Sequence, residues 1–306
     1  MTKIPKSPIP EITALGNGLR IVTTSIPTAQ SVSICIFAAV GSRAEEKEKQ
    51  GLAHFLEHMV FKGTNKRATA VHISEAIEGA GGILNAYTSK EVTCFWNHLP
   101  YNKLELGIDV LADMLTSPTL DQEEIDRELH VVQQEIRRTN DQPSAWVGEL
   151  IDRAMFGDHP LGWSTAGEED TVAILKRPDF SSWLDDWYCP ENLVVSIAGN
   201  ATHSMVVDLV EKHLPGRSGN LASSIQPAGQ ILPSQKTALE IRDITQTNFC
   251  LGLPAIPRND PDRYTFLVMN SILGRGMSSR LFREVRERRG LAYSIGSSLT
   301  SYGDTG

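Results

Sequence analysis

Residues 51–64, GLAHFLEHMVFKGT, hold two histidines four apart with a glutamate beside the second. On a helix, His54 and His58 stand about 40° apart on one face, and Glu57 lies about 60° to the other side of His54. Two imidazoles one turn apart can bind a single cation, zinc being the usual one. A carboxylate that adjoins the site without joining it can take a proton from a metal-activated water and pass it to a leaving group. Incidental histidines on an ordinary helix would match the same spacing. Against that, Leu52, Phe55, Leu56, Met59 and Val60 leave little of the segment polar. His54, Glu57 and His58 are then drawn into apolar surroundings, where polar groups need partners, and a metal is one.

A catalytic zinc site takes three protein ligands and keeps one position open. The stretch 121–138, DQEEIDRELHVVQQEIRR, offers the third. Ile125, Leu129, Val132 and Ile136 form its buried stripe. Glu128 and Glu135, seven apart and within about 20° of each other, both flank that stripe. Either can face the histidines, and helical geometry does not choose between them. Glu123 and Glu124 fall to the solvent side.

The elements that must position these groups follow from periodicity. Residues 19–25 and 31–42 read as strands, the second with Val32, Ile34 and Ile36 on one face. The charged segment 44–50 is expected to be solvated. Helices are expected over 51–62 and 70–79, then paired strands over 83–89 and 91–99. A helix over 102–115 carries Leu104, Ile108, Leu111 and Leu115 on one stripe, and another runs from about 121 to 139. An apolar strand (192–200) and a closing helix (203–214) follow. Residues 215–236, rich in Gly, Ser and Pro, read as a linker. Beyond it, 237–243, 247–253 and 291–299 read as strands, with helices over 261–273 and 278–288. The expected organisation is α+β: an antiparallel or mixed sheet with helices packed on it in domain 1–214, then a homologous but incomplete domain over 237–306.

The 306 residues are 41% hydrophobic and 22% charged, with a net charge of −8. This is a globular composition without the basic footprint of a nucleic-acid binder. Four dispersed cysteines with no CxxC pair fit a reducing compartment. The longest apolar run, near 33–40, is too short for a membrane-spanning helix. The opening residues do not form a secretory signal, and a cytoplasmic setting is expected.

HFLEHMVFKGT and the later glutamate-rich helix together resemble the pitrilysin-type inverzincin peptidases, most closely their mitochondrial-processing-peptidase-like branch. The resemblance extends to NGLRIV, GSRAEEKEKQGLAHFLEHMVFKGT, GGILNAYTSKEVTCF, QEEIDRELHVVQQEI and GMSSRLFREVRERRGLAYSI. It implies a zinc endopeptidase with one zinc held by His54, His58 and Glu135, Glu57 as general base, and Glu128 orienting the site. It also implies that Asn85 holds the backbone of an extended peptide. Arg286 and Tyr293 would form a pair directed at the substrate and the developing oxyanion. Peptides are the implied substrates, and a homologous subunit, identical or not, the implied partner. Where processing peptidases carry an acidic pair for a substrate arginine, this sequence has Ala145 and Glu149, which favours a more general peptidase over a matrix enzyme with strict presequence preference. Some relatives are catalytically silent subunits, many of them lacking the metal residues; here all four are present.

Overall fold

The computed structural model describes residues 8–215, 221, 225–229 and 237–306. Most of the expected linker, 215–236, lies outside the described residues. The chain divides into two units, one of residues 1–146 and 163–225, the other of residues 147–162 and 226–306. The expected division was sequential; the observed one assigns 147–162, from the middle of the first stretch, to the second unit.

The first unit is built on a six-stranded mixed sheet. Its strands are β1 (Glu11–Ala14), β2 (Arg20–Ser25), β3 (Ser31–Ala38), β4 (Ile83–Thr88), β5 (Thr93–Pro100) and β6 (Leu193–Gly199). They lie in the order β1-β2-β6-β3-β5-β4, with β2 and β6 parallel and every other pair antiparallel. The α+β class and the alternation of β3 are as expected: Val32, Ile34 and Ile36 are fully buried, because one face of a half-covered antiparallel sheet must meet the core. Only β1 escaped the sequence reading, being four residues long and exposed for most of its length.

The helices of this unit are α1 (Leu52–Met59), α2 (Ala70–Glu78), α3 (Leu104–Thr116), α4 (Gln122–Asp141), α6 (Glu169–Ala173), α7 (Arg177–Trp187) and α8 (His203–His213), with α5 (Pro143–Phe156) running into the second unit. Phe55 and Leu56 of α1, Ile108 and Leu111 of α3, Phe180 and Leu184 of α7 and Val206 and Val210 of α8 share one core with the buried face of the sheet. Phe55 meets Phe180 edge-on at 5.0 Å between ring centroids.

The segment 44–50 departs from expectation. Glu45 is buried, which pushes its pKa up to about 8, and its carboxyl oxygens accept the backbone N–H groups of Gly51 (2.9 Å) and Ala53 (2.8 Å) at the start of α1. Those donors have no intrahelical partner, and Gly51, at φ +92°, provides no side-chain cap. A charge pattern alone cannot tell a solvated carboxylate from one folded back onto a helix end.

In the second unit α9 (Arg263–Leu273) forms as expected, and 278–288 is partly a π-type turn over Phe282–Glu287. Of α5, Ile151 and Met155 line Gly252 closely enough that a Cβ there would stand 3.0 Å from them, and Phe156 meets Tyr302 edge-on at 5.9 Å. The three strands expected at 237–243, 247–253 and 291–299 do not form. A strand needs a ladder partner, and these segments have none among the described residues; Ile241 and Leu251 are 88% and 84% exposed. All four cysteines are free. Among the described residues no helix is long and apolar enough to cross a membrane.

Candidate metal centre

The centre forms where α1 meets α4. Leu52, Phe55, Leu56 and Met59 bury one side of α1, which leaves His54, Glu57 and His58 on its half-buried face. The two imidazole rings lie 4.7 Å apart between centroids, tilted by 68°. Asp121 caps α4 by accepting the N–H of Glu123 at 2.8 Å. Ile125, Val132 and Ile136 then bury its apolar stripe and turn two glutamates toward α1.

Those glutamates do different things. Glu135, half exposed, places Oε1 3.7 Å from His54 Nε2 and Oε2 3.6 Å from His58 Nε2. Glu128 is buried and accepts from His58 Nδ1 at 2.9 Å. Its other oxygen receives the Lys62 ammonium. Burial alone would raise Glu128, but the hydrogen bonds from His58 and Lys62 outweigh it and hold the carboxyl below its ordinary range.

His54, His58 and Glu135 offer ligand atoms that all lie within 4.8 Å of one another. The separations of 3.6–3.7 Å are too long for hydrogen bonds. They approach the ~3.3–3.4 Å expected between ligand atoms held ~2.0–2.1 Å from a tetrahedral zinc. Two imidazoles and one carboxylate are a donor set that zinc accepts, so the residues present fit the ion. Burial, and behind it His58, pushes the His54 imidazole down to about 4, with Glu135 opposing. The ring is therefore neutral at pH 7 and keeps a lone pair for a cation.

Glu57 stands on the same helix outside this triad. Its Oε2 accepts from the Thr88 hydroxyl at 2.5 Å. Burial raises its carboxyl above the ordinary range and Glu135 adds to the rise, while Thr88 and His58 oppose it. A carboxylate made more basic in this way takes a proton more readily than an ordinary one.

Asn85 is exposed on β4, which is an edge of the sheet; its Oδ1 accepts the N–H of Ala86 at 2.8 Å. Arg286 and Tyr293 lie in the second unit, where the guanidinium stacks 4.8 Å from the Tyr293 ring and 4.7 Å from that of Phe282. The sequence reading passed over three residues that touch the centre or its helix: Thr88, Lys62 and Glu45. Lys62 had a signal, being one turn beyond His58 on the same face. Thr88 and Glu45 had none, because their partners are reached only through tertiary packing.

Comparison with known proteins places the chain in a family. Residues 20–169 match the insulinase family (peptidase family M16), and residues 175–306 match the peptidase M16 inactive domain. An uncharacterised zinc protease of Mycobacterium leprae is 39% identical over 297 residues, covering 96% of this chain and 66% of that protein. One from Bacillus subtilis is 38% identical over 292 residues, covering 95% and 70%. The chain thus spans about two thirds of the length of these relatives. A protease from Helicobacter pylori has the same fold, with TM-score 0.86, 24% identity, and coverage of 97% of this chain and 73% of that one. Pitrilysin superposes with TM-score 0.65 at 22% identity, over 73% of this chain and 24% of its own.

Proposed function

Since the chain belongs to the insulinase family of peptidases, M16, we propose that it is a zinc-dependent endopeptidase acting on extended peptides or unfolded segments. One observation carries the proposal: three metal-ligand atoms converge beside a fourth side chain, Glu57, which stands outside that triad and is held by Thr88. His54, His58 and Glu135 would hold one zinc ion. When bound, zinc supplies Lewis acidity that polarises the scissile carbonyl and makes water acidic near neutral pH.

The chain's own residues do the rest. Glu57 takes the proton of the attacking water at its carboxylate and returns it to the leaving amine. Thr88 keeps that carboxylate from turning away. Glu128 accepts the His58 Nδ1 proton, which leaves Nε2 free to ligate. The exposed edge of β4 can take an extended peptide as an added strand, with Asn85 at hand for its backbone. Arg286 and Tyr293 are assigned, from the family resemblance, to substrate and oxyanion, and a homologous subunit to partnership.

Purified protein is expected to carry about one zinc per chain and to cleave unstructured peptides. Glu57→Gln should keep the metal and abolish cleavage; full activity in that variant would overturn the mechanism. Zinc binding without cleavage of any peptide by the unaltered protein would favour a silent subunit instead.

A further inference from the structure

We propose that Lys62 is a positioning residue of the metal centre: through Glu128 it fixes the orientation of His58 and the spacing of α1 from α4. The inference rests on the zinc-peptidase reading above and adds a residue to it.

Lys62 lies just past the end of α1, one turn beyond His58, in a tightened turn where its N–H reaches the Met59 carbonyl at 3.1 Å. Its ammonium meets Glu128 Oε2 while Glu128 Oε1 takes the proton of His58 Nδ1. Both oxygens of a side chain only 8% exposed are thereby used. Surface ion pairs contribute little, but this carboxylate is not at the surface. A buried carboxylate left with one neutral donor would be poorly compensated.

Lys62 therefore allows Glu128 to stand where it does. Glu128 in turn is the brace for His58. The contrast with His54 is informative: its Nδ1 is buried and has no hydrogen-bond partner. Of the two histidines, only His58 has its ring held from behind.

The pairing also sets the relation of the helices. Along α1 and the turn that follows it the order is His54, His58, Lys62; along α4 it is Glu128, then Glu135 seven residues later. Lys62 meets Glu128, and His54 meets Glu135, so the helices cross in opposite senses. Lys62–Glu128 is the clasp at one end, and the ligand cluster lies at the other. Loosening the clasp frees the His58 ring to rotate and lets Glu135 move off both Nε2 atoms.

The test is zinc affinity, measured by chelator competition on the purified full chain. The series is the unaltered protein, Lys62→Met, Lys62→Arg, Glu128→Gln and the Lys62→Met/Glu128→Gln pair. Lys62→Met, which keeps the aliphatic stem, should weaken zinc binding ~10–100-fold, the usual effect of losing an outer partner. Lys62→Arg should restore most of it. The double variant should bind no more weakly than Glu128→Gln alone, since Lys62 acts through that residue. Lys62→Gln serves if the methionine variant does not fold. Unchanged affinity in Lys62→Met, or a double variant whose loss multiplies the two single losses, overturns the proposal. A merely structural lysine would lower the melting midpoint of the metal-free protein and leave zinc affinity as it was. If the unaltered protein binds no zinc, the zinc reading itself falls and takes this proposal with it. If it does bind, the zinc reading stands and the Lys62→Met affinity alone upholds or overturns the proposal.

Discussion

The hydroxyl of Thr88 donates to Glu57 Oε2 across 2.5 Å, from the last residue of the edge strand β4 to the metal helix α1. This bond joins the strand proposed to hold the peptide to the base proposed to deprotonate the attacking water. It also favours the charged form of Glu57.

Thr88→Val removes the donor while keeping the shape. The Glu57 pKa should then rise, so the acidic limb of the kcat/KM profile should move to higher pH by about one pH unit, the scale of one charge-assisted hydrogen bond. Thr88→Ser should leave the profile in place. Zinc content should not change in either. A pH–rate profile on a fluorogenic peptide reads the outcome, and an unmoved limb in Thr88→Val would remove Thr88 from the mechanism.

Glu45 supplies the cap that α1 lacks. Glu45→Ala should cost about 2–3 kcal/mol, because two buried N–H groups lose their acceptor. Glu45→Gln, with one acceptor oxygen left, should recover part of that. Urea unfolding of the metal-free protein measures both. A truly solvated glutamate would give a change near zero.

Gly41 stands against the β4–β5 turn, where Ser42 donates its N–H to the Ser89 carbonyl at 3.0 Å and Arg43 donates its own to that of Lys90 at 2.8 Å. A Cβ at position 41 would lie 2.0 Å from the Ser89 oxygen. Since backbone must yield, Gly41→Ala should destabilise by about 2–3 kcal/mol or more. Gly16→Ala, with nothing within 4 Å, is the control and should be nearly neutral. Equal midpoints for the two variants in thermal melts would contradict the packing described.

Asp109 is held by Arg67 at 2.6 Å and Lys66 at 2.7 Å, with His213 Nδ1 at 3.1 Å. Partial burial raises its carboxyl, but the hydrogen bonds from Arg67 and Lys66 prevail and bring it down to about 2. The unfolded chain therefore takes up this proton first as pH falls. The stabilisation is present above about pH 4 and is lost as pH drops toward about 2. After allowance for solvent screening it amounts to about 1 kcal/mol. The stability gap between the unaltered protein and Asp109→Asn should close across that window in urea titrations, and a gap independent of pH would refute the assignment.

How much of this could be read from the chain alone differs from residue to residue. The four-residue spacing of His54 and His58 put both on one helix face, because the helical repeat is a local property. The same holds for the buried stripe of α4 and the alternation of β3. The segments over 237–253 and 291–299 show the limit: a β-like pattern states what a strand would bury, but a ladder requires a neighbour, and neighbours are not local.

Glu128 and Glu135 make the same point within the centre. Seven apart, they share a face so nearly that periodicity treats them alike. The axial offset of α4 against α1 separates them, placing Glu135 before both Nε2 atoms and Glu128 behind His58. Thr88 and Glu45 likewise acquired partners only when β4 and the loop before α1 packed. The sequence by itself determined the ligand types, their spacing and the face they share; tertiary structure alone decided which glutamate faces the cation and which braces a histidine. Through-bond periodicity sets directions within one element, whereas distances of 3–4 Å between elements depend on how whole buried faces fit together.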